Sequence, residues 1–133
     1  MSLVLVDTSI WVDYFRGNPV ANDLDKLIET NQIATNELIL AELLPSIMFR
    51  KEKDLGRLLQ AVKKFDLRID WQEIVRMQTK NLEAGNKHVG IPDIIIAQNA
   101  IQNDLILFEN DKHFRNMKVL FGLDLLRKGE SEI

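Results

Sequence analysis

Leu3-Val4-Leu5-Val6-Asp7-Thr8-Ser9 opens with four apolar residues and passes at once to an acid and two hydroxyls. The apolar run has strand length and no polar alternation. A strand covered on both faces reads this way, and such strands belong to parallel sheets packed between helices. Asp7-Thr8-Ser9 then supplies helix N-cap chemistry, so the chain leaves the strand and enters a helix through Ile10-Trp11-Val12-Asp13-Tyr14-Phe15. Leu105-Ile106-Leu107-Phe108 is a second run of the same kind, followed three residues later by Asp111.

Between and beyond these runs the pattern alternates short strand-like and helical stretches. Arg16-Gly17-Asn18-Pro19 stops the first helix, with Gly17 at the C′ position. A helical stretch from Val20 to Glu29 follows, then a short strand at Gln32-Ile33-Ala34. Thr35 or Asn36 caps an apolar helix to about Phe49, inside which Pro45 predicts a kink or break. Leu55, Leu58, Leu59 and Val62 share helical spacing. Leu67-Arg68-Ile69 reads as a third short strand, and Asp70-Trp71-Gln72-Glu73 as a capping box opening a helix to Glu83. Pro92 suits the first turn of a helix from Asp93 to Ile101. A short helix over Lys112 to Asn116, a last strand at Val119-Leu120-Phe121 and a polar tail from Arg127 that frays complete the reading. The expectation is an α/β sandwich with a mostly parallel sheet of four or five strands flanked by helices.

Composition bounds the chemistry. At 133 residues the chain has the length of a single domain, 1–133, and 46% apolar residues suffice for a core. The absence of cysteine excludes disulfides, thiolate metal sites and a cysteine nucleophile. Two histidines leave little room for a histidine-rich metal site, and His88 and His113 read as surface or hydrogen-bonding residues rather than ligands. No apolar run spans a membrane, and the N-terminus lacks a basic region, so a cytoplasmic location is expected and no membrane contact.

Four carboxylates stand out. Asp7 and Asp111 each follow a strong strand at its carboxyl end, the edge where open α/β sheets bind ligands. A cap or turn role would also explain each of them. Asp93 falls in the first turn of a helix continuing Ile94-Ile95-Ile96-Ala97, where the helix dipole alone favours an acid. Glu42 sits in Leu38-Ile39-Leu40-Ala41-Glu42-Leu43-Leu44, apolar around nearly its whole circumference. That pattern predicts a buried helix, and a buried carboxylate needs a partner, a proton or a metal; an exposed stripe or a distant salt bridge is the alternative. If all four converge, each pair at ~4–5 Å and an effective dielectric near 20 costs roughly 3–4 kcal/mol. Protonation or a divalent cation relieves this. Hard oxygen donors select Mg2+ or Mn2+ over Zn2+, and such an ion suits phosphodiester hydrolysis.

Val6-Asp7-Thr8-Ser9, Leu40-Ala41-Glu42-Leu43, Ile91-Pro92-Asp93-Ile94-Ile95-Ile96-Ala97 and Asn110-Asp111-Lys112-His113-Phe114 stand in an order and spacing that resemble the PIN-domain nucleases. The chain looks most like the VapC type, the ribonuclease toxin of a toxin–antitoxin pair. The resemblance runs from Val4 to about Phe121 and implies a three-layer PIN-like sandwich. It also implies Asp7 and Asp93 as main metal ligands, Glu42 and Asp111 as the acids completing the catalytic site, and Ser9 as a hydroxyl lining it. The family commonly carries Thr or Ser two residues before the last Asp; this chain has Glu109, which either adds a fifth carboxylate or points away.

The implied partners are an RNA substrate, a cognate antitoxin and a second copy of the chain in a homodimer. The net charge of −3 argues against gripping RNA by bulk charge, but setting aside four site acids leaves +1. Arg50, Lys51, Lys53 and Arg57 are then candidates for RNA phosphates as well as an ordinary solvated face. Trp11, Tyr14 and Phe15 read as core, with any exposed remainder available to a partner helix. A catalytically degenerate PIN fold that only binds RNA or protein is the alternative function.

Overall fold

The computed structural model describes residues 3–126. Four strands form one parallel sheet: β1 (Val4–Val6), β2 (Ile33–Thr35), β3 (Lys63–Lys64) and β4 (Ile106–Phe108), in spatial order β3-β2-β1-β4. The helices are α1 (Thr8–Phe15), α2 (Asp23–Glu29), α3 (Glu37–Phe49), α4 (Lys53–Ala61), α5 (Trp71–Glu83), α6 (Ile91–Gln102) and α7 (Lys112–Phe121). They flank the sheet in a three-layer α/β sandwich. β1 and β2 are buried along their length, β1 as its unbroken apolar run requires and β2 with Thr35 as its one polar residue. β3 is instead a two-lysine edge strand, both lysines exposed, which protects the open edge from further pairing.

From β1 the chain turns to β2 on one side, while β4 closes on the other, with Val6 opposite Phe108. The strand order therefore reverses next to β1, and the crevice beyond the carboxyl ends of β1 and β4 is the switch point where such sheets bind ligands. Asp7 stands one residue past β1, with its backbone N–H donating to the Phe108 carbonyl at 2.9 Å. Below this edge Leu5, Val6, Ile10, Trp11, Leu107, Phe108 and Phe114 form the centre of the core.

Several local expectations hold. Gly17 ends α1 at φ 71°, Asn36 caps α3 and Asp70 caps α5 through the Glu73 N–H. Others are corrected. The stretch from Val20 divides into a 3₁₀ turn (Pro19–Ala21) and α2. α3 continues without a break through Pro45. Pro45 and Ala41 are both exposed, so the carbonyl that loses its helical donor faces solvent.

Residues 67–69 form no strand. Their neighbourhood is fastened by amide side chains of α6: Asn99 donates to the Asp66 carbonyl, Gln102 to the Arg68 carbonyl, and Gln98 bonds both the N–H and carbonyl of Asp70. Val119-Leu120-Phe121 is not a last strand but the end of α7. Phe114, Met117 and Phe121 make one helical face, Val119 is 86% exposed, and Gly122 caps the helix at φ 70°. The sheet edge the strand would have covered is met a few residues later by Leu125, bridged to Leu107. The tail from Arg127 lies outside the described residues. Among the described residues no helix is long and apolar enough to cross a membrane.

Candidate active site

Asp7 serves as the N-cap of α1 and is also a buried acid at the sheet edge. Its Oδ2 accepts from the Ser9 N–H at 3.1 Å and from the Ser9 hydroxyl at 2.6 Å. The Ser9 hydroxyl in turn accepts from the Asn110 N–H at 3.0 Å, which ties the loop after β4 to the start of α1. Asp7 is only 5% exposed. Burial raises its pKa to about 6; the two Ser9 hydrogen bonds oppose the shift, and the charges of Glu42 and Asp93 add to it.

Glu42 reaches the same edge from α3, but from an exposed face. Its Oε1 accepts from the Thr8 hydroxyl at 2.7 Å. The expected burial of this helix does not hold: Ala41, Glu42, Pro45, Ser46, Met48 and Phe49 line an open face, with Phe49 88% exposed. Apolar residues around the full circumference gave no clue to which side faces solvent.

Asp93 lies in the first turn of α6, whose start is set by Gly90 as N-cap and Pro92 just inside. Its pKa is raised by burial and by the charge of Asp111, against the lowering effect of His113 and a backbone hydrogen bond at Gly90. Asp111 caps α7, accepting from the His113 N–H at 3.0 Å. That cap folds the His113 ring back between the two acids, with Nδ1 3.2 Å from Asp93 Oδ2 and 3.4 Å from Asp111 Oδ1.

The four acids thus share one sheet edge in two halves. Asp7 and Glu42 form one, linked through Thr8 and Ser9. Asp93, Asp111 and His113 form the other, with ligand atoms that all lie within 4.8 Å of one another. The repulsion of Asp7 by Asp93 connects the halves. No lysine or arginine pairs with any of the four among the described residues. Glu109 resolves differently. It is 3% exposed, its Oε2 accepts from the Asp111 N–H at 2.6 Å, and its Oε1 lies 3.6 Å from Arg115 Nε. It braces the loop that presents Asp111.

Sequence reasoning missed Thr8 and His113 as members of this edge. Thr8 follows Asp7 directly, and His113 stands two residues past a capping Asp, a spacing that brings a side chain back over the cap. Beside Glu42 a cleft of about 160 Å3 runs between α1 and α3, lined by Val12, Phe15, Arg16, Ile47 and Arg50 among others.

The PIN-domain family model matches residues 4–120. Solved structures that share the fold include three that match nearly the whole chain. VapBC2 from Rickettsia felis, bound to a promoter DNA fragment, has TM-score 0.72 and 23% identity over 93% of this chain and 97% of that one. FitAcB from Neisseria gonorrhoeae has TM-score 0.70 and 20% identity over 94% and 97%. DNA-bound VapBC from Salmonella typhimurium has TM-score 0.69 and 15% identity over 95% and 98%. No curated protein matches the chain by sequence.

Proposed function

We propose that this chain, which belongs to the PIN-domain family, is a Mg2+- or Mn2+-dependent endoribonuclease and the toxin of a type II toxin–antitoxin pair. The observation that carries this reading is the set Asp7, Glu42, Asp93 and Asp111 gathered at the switch point without a lysine or arginine counterion among the described residues. Like charges held together at a crevice are tolerated when a divalent ion joins them. The donor set fits such an ion: oxygens from Asp93 and Asp111 lie together, and burial near two other acids leaves Asp7 half-protonated at about pH 6.

Asp93 and Asp111 would hold the ion, with Asp7 and Glu42 completing its surroundings from across the crevice. When bound, the ion supplies charge neutralisation at the scissile phosphate and acidifies water. Ser9 fixes Asp7 Oδ2 and leaves Oδ1 for the chemistry. An acid of this set then accepts the proton of the attacking water. Thr8 holds Glu42 in place, and Glu109 with Arg115 holds the Asp111 loop.

The substrate strand is an RNA whose phosphates meet Arg16 and Arg50 beside Glu42; neither arginine has an ion-pair partner among the described residues. Structures similar in fold are named as VapBC and FitAcB assemblies, which supports a cognate antitoxin as the protein partner. We place the enzyme in the cytoplasm, as a homodimer of single-domain chains. Product-end analysis tests the reaction. Hydrolysis of this kind leaves 5′-phosphate and 3′-hydroxyl ends. Cyclic phosphates formed equally well in EDTA would contradict it.

A further inference from the structure

We propose that His113 is a nitrogen ligand of the divalent-ion site, beside Asp93 and Asp111, and that the site therefore takes Mn2+ in preference to Mg2+. This deepens the hydrolase reading and rests on it.

Spacing comes first. Around an octahedral ion with bonds of about 2.1 Å, neighbouring donors stand about 3 Å apart. His113 Nδ1 lies 3.2 Å from Asp93 Oδ2 and 3.4 Å from Asp111 Oδ1. The Asp93 and Asp111 oxygens lie within 4.8 Å of each other, so the two carboxylates would draw together to surround one ion. The His113 backbone is placed independently of any ion, because its N–H donates to Asp111, and the ring is held against Asp93 through Nδ1. All three side chains are partly open, with 22%, 25% and 34% exposure for His113, Asp93 and Asp111, so one face remains for water and substrate.

Donor type points the same way. An imidazole nitrogen is a poor donor for Mg2+ and a good one for the first-row transition ions. An all-carboxylate site would not separate the two ions this way. The alternative role for His113 is to position Asp93 by donating Nδ1–H to it. His113→Asn separates the roles: the amide keeps an N–H donor at nearly the same place and has no nitrogen lone pair to give.

The test uses the full chain with Mn2+ alone. Electron spin-echo modulation of bound Mn2+ is expected to show a directly coordinated 14N that disappears in His113→Asn. Calorimetry is expected to show Mn2+ affinity falling at least ~10-fold in that variant, and Mg2+ affinity by less than about 3-fold. Bound Mn2+ without 14N coupling overturns the ligand role and leaves the hydrolase reading standing. A 14N signal that survives in the variant also overturns it, since His88 would then be the donor. No Mn2+ binding at all overturns both.

Discussion

Asn36 Nδ2 donates to Asn99 Oδ1 at 3.0 Å, joining two fully buried amides 63 residues apart. Asn36 also caps α3 by accepting from the Ile39 N–H at 2.9 Å, and Asn99 donates onward to the Asp66 carbonyl. α3 carries Glu42 and α6 carries Asp93, so this pair fixes the separation of two helices that deliver acids to the crevice.

Asn36→Ala removes the cap, worth about 1 kcal/mol, and strands the buried amide of Asn99, worth about 1–3 kcal/mol. The expected loss is roughly 2–4 kcal/mol in denaturant unfolding. A loss below about 0.5 kcal/mol would show that the amide chain is dispensable.

Asp7 has a pH signature. Its folded pKa of about 6 lies above the ordinary 3.8, so the folded state binds the proton more tightly than the unfolded one. Without metal, the penalty is absent below about pH 3.8, grows between there and about 6, and is complete above 6. At full size it is at most about 3 kcal/mol. Metal-free Asp7→Asn should therefore melt higher than the native protein at pH 7.5, with the two melting temperatures converging near pH 4. Equal melting at pH 7.5 would show that the charge is already compensated. Added Mn2+ should raise the melting temperature of the native chain more than that of the variant.

Arg50 caps the end of α3 and lines the cleft that contains Glu42, and Lys51 follows it in sequence. Charge reversal at both should weaken RNA binding and flatten its dependence on salt, by roughly 0.7 in logarithmic slope for each phosphate no longer neutralised. Filter binding in Ca2+, which permits binding while slowing cleavage, reads this out. An unchanged slope would assign these residues to an ordinary solvated face.

Much of the fold was legible because buried strands and caps have local signatures. The run Leu3–Val6, the capping Asp70 and the helix-starting Pro92 each act through neighbours in sequence. The errors fell where tertiary context decides. Leu67-Arg68-Ile69 looks like a strand until Asn99 and Gln102 claim the backbone carbonyls a neighbouring strand would need. Val119-Leu120-Phe121 has strand composition, but Phe114 and Met117 extend a helical face into it. The acids were found through their positions after strands and at helix starts. Their division into two halves, the exposure of Glu42 and the turn of His113 toward Asp93 depend on how helices pack, which periodicity does not encode.

The most direct test is cleavage of a structured RNA by the native chain and by Asp93→Asn, each in Mn2+ and in EDTA. Cutting by the native chain is expected in Mn2+ alone, and at least ~100-fold less by the variant. Equal cutting in EDTA, or by Asp93→Asn in Mn2+, would contradict the claim that these acids act by holding a divalent ion.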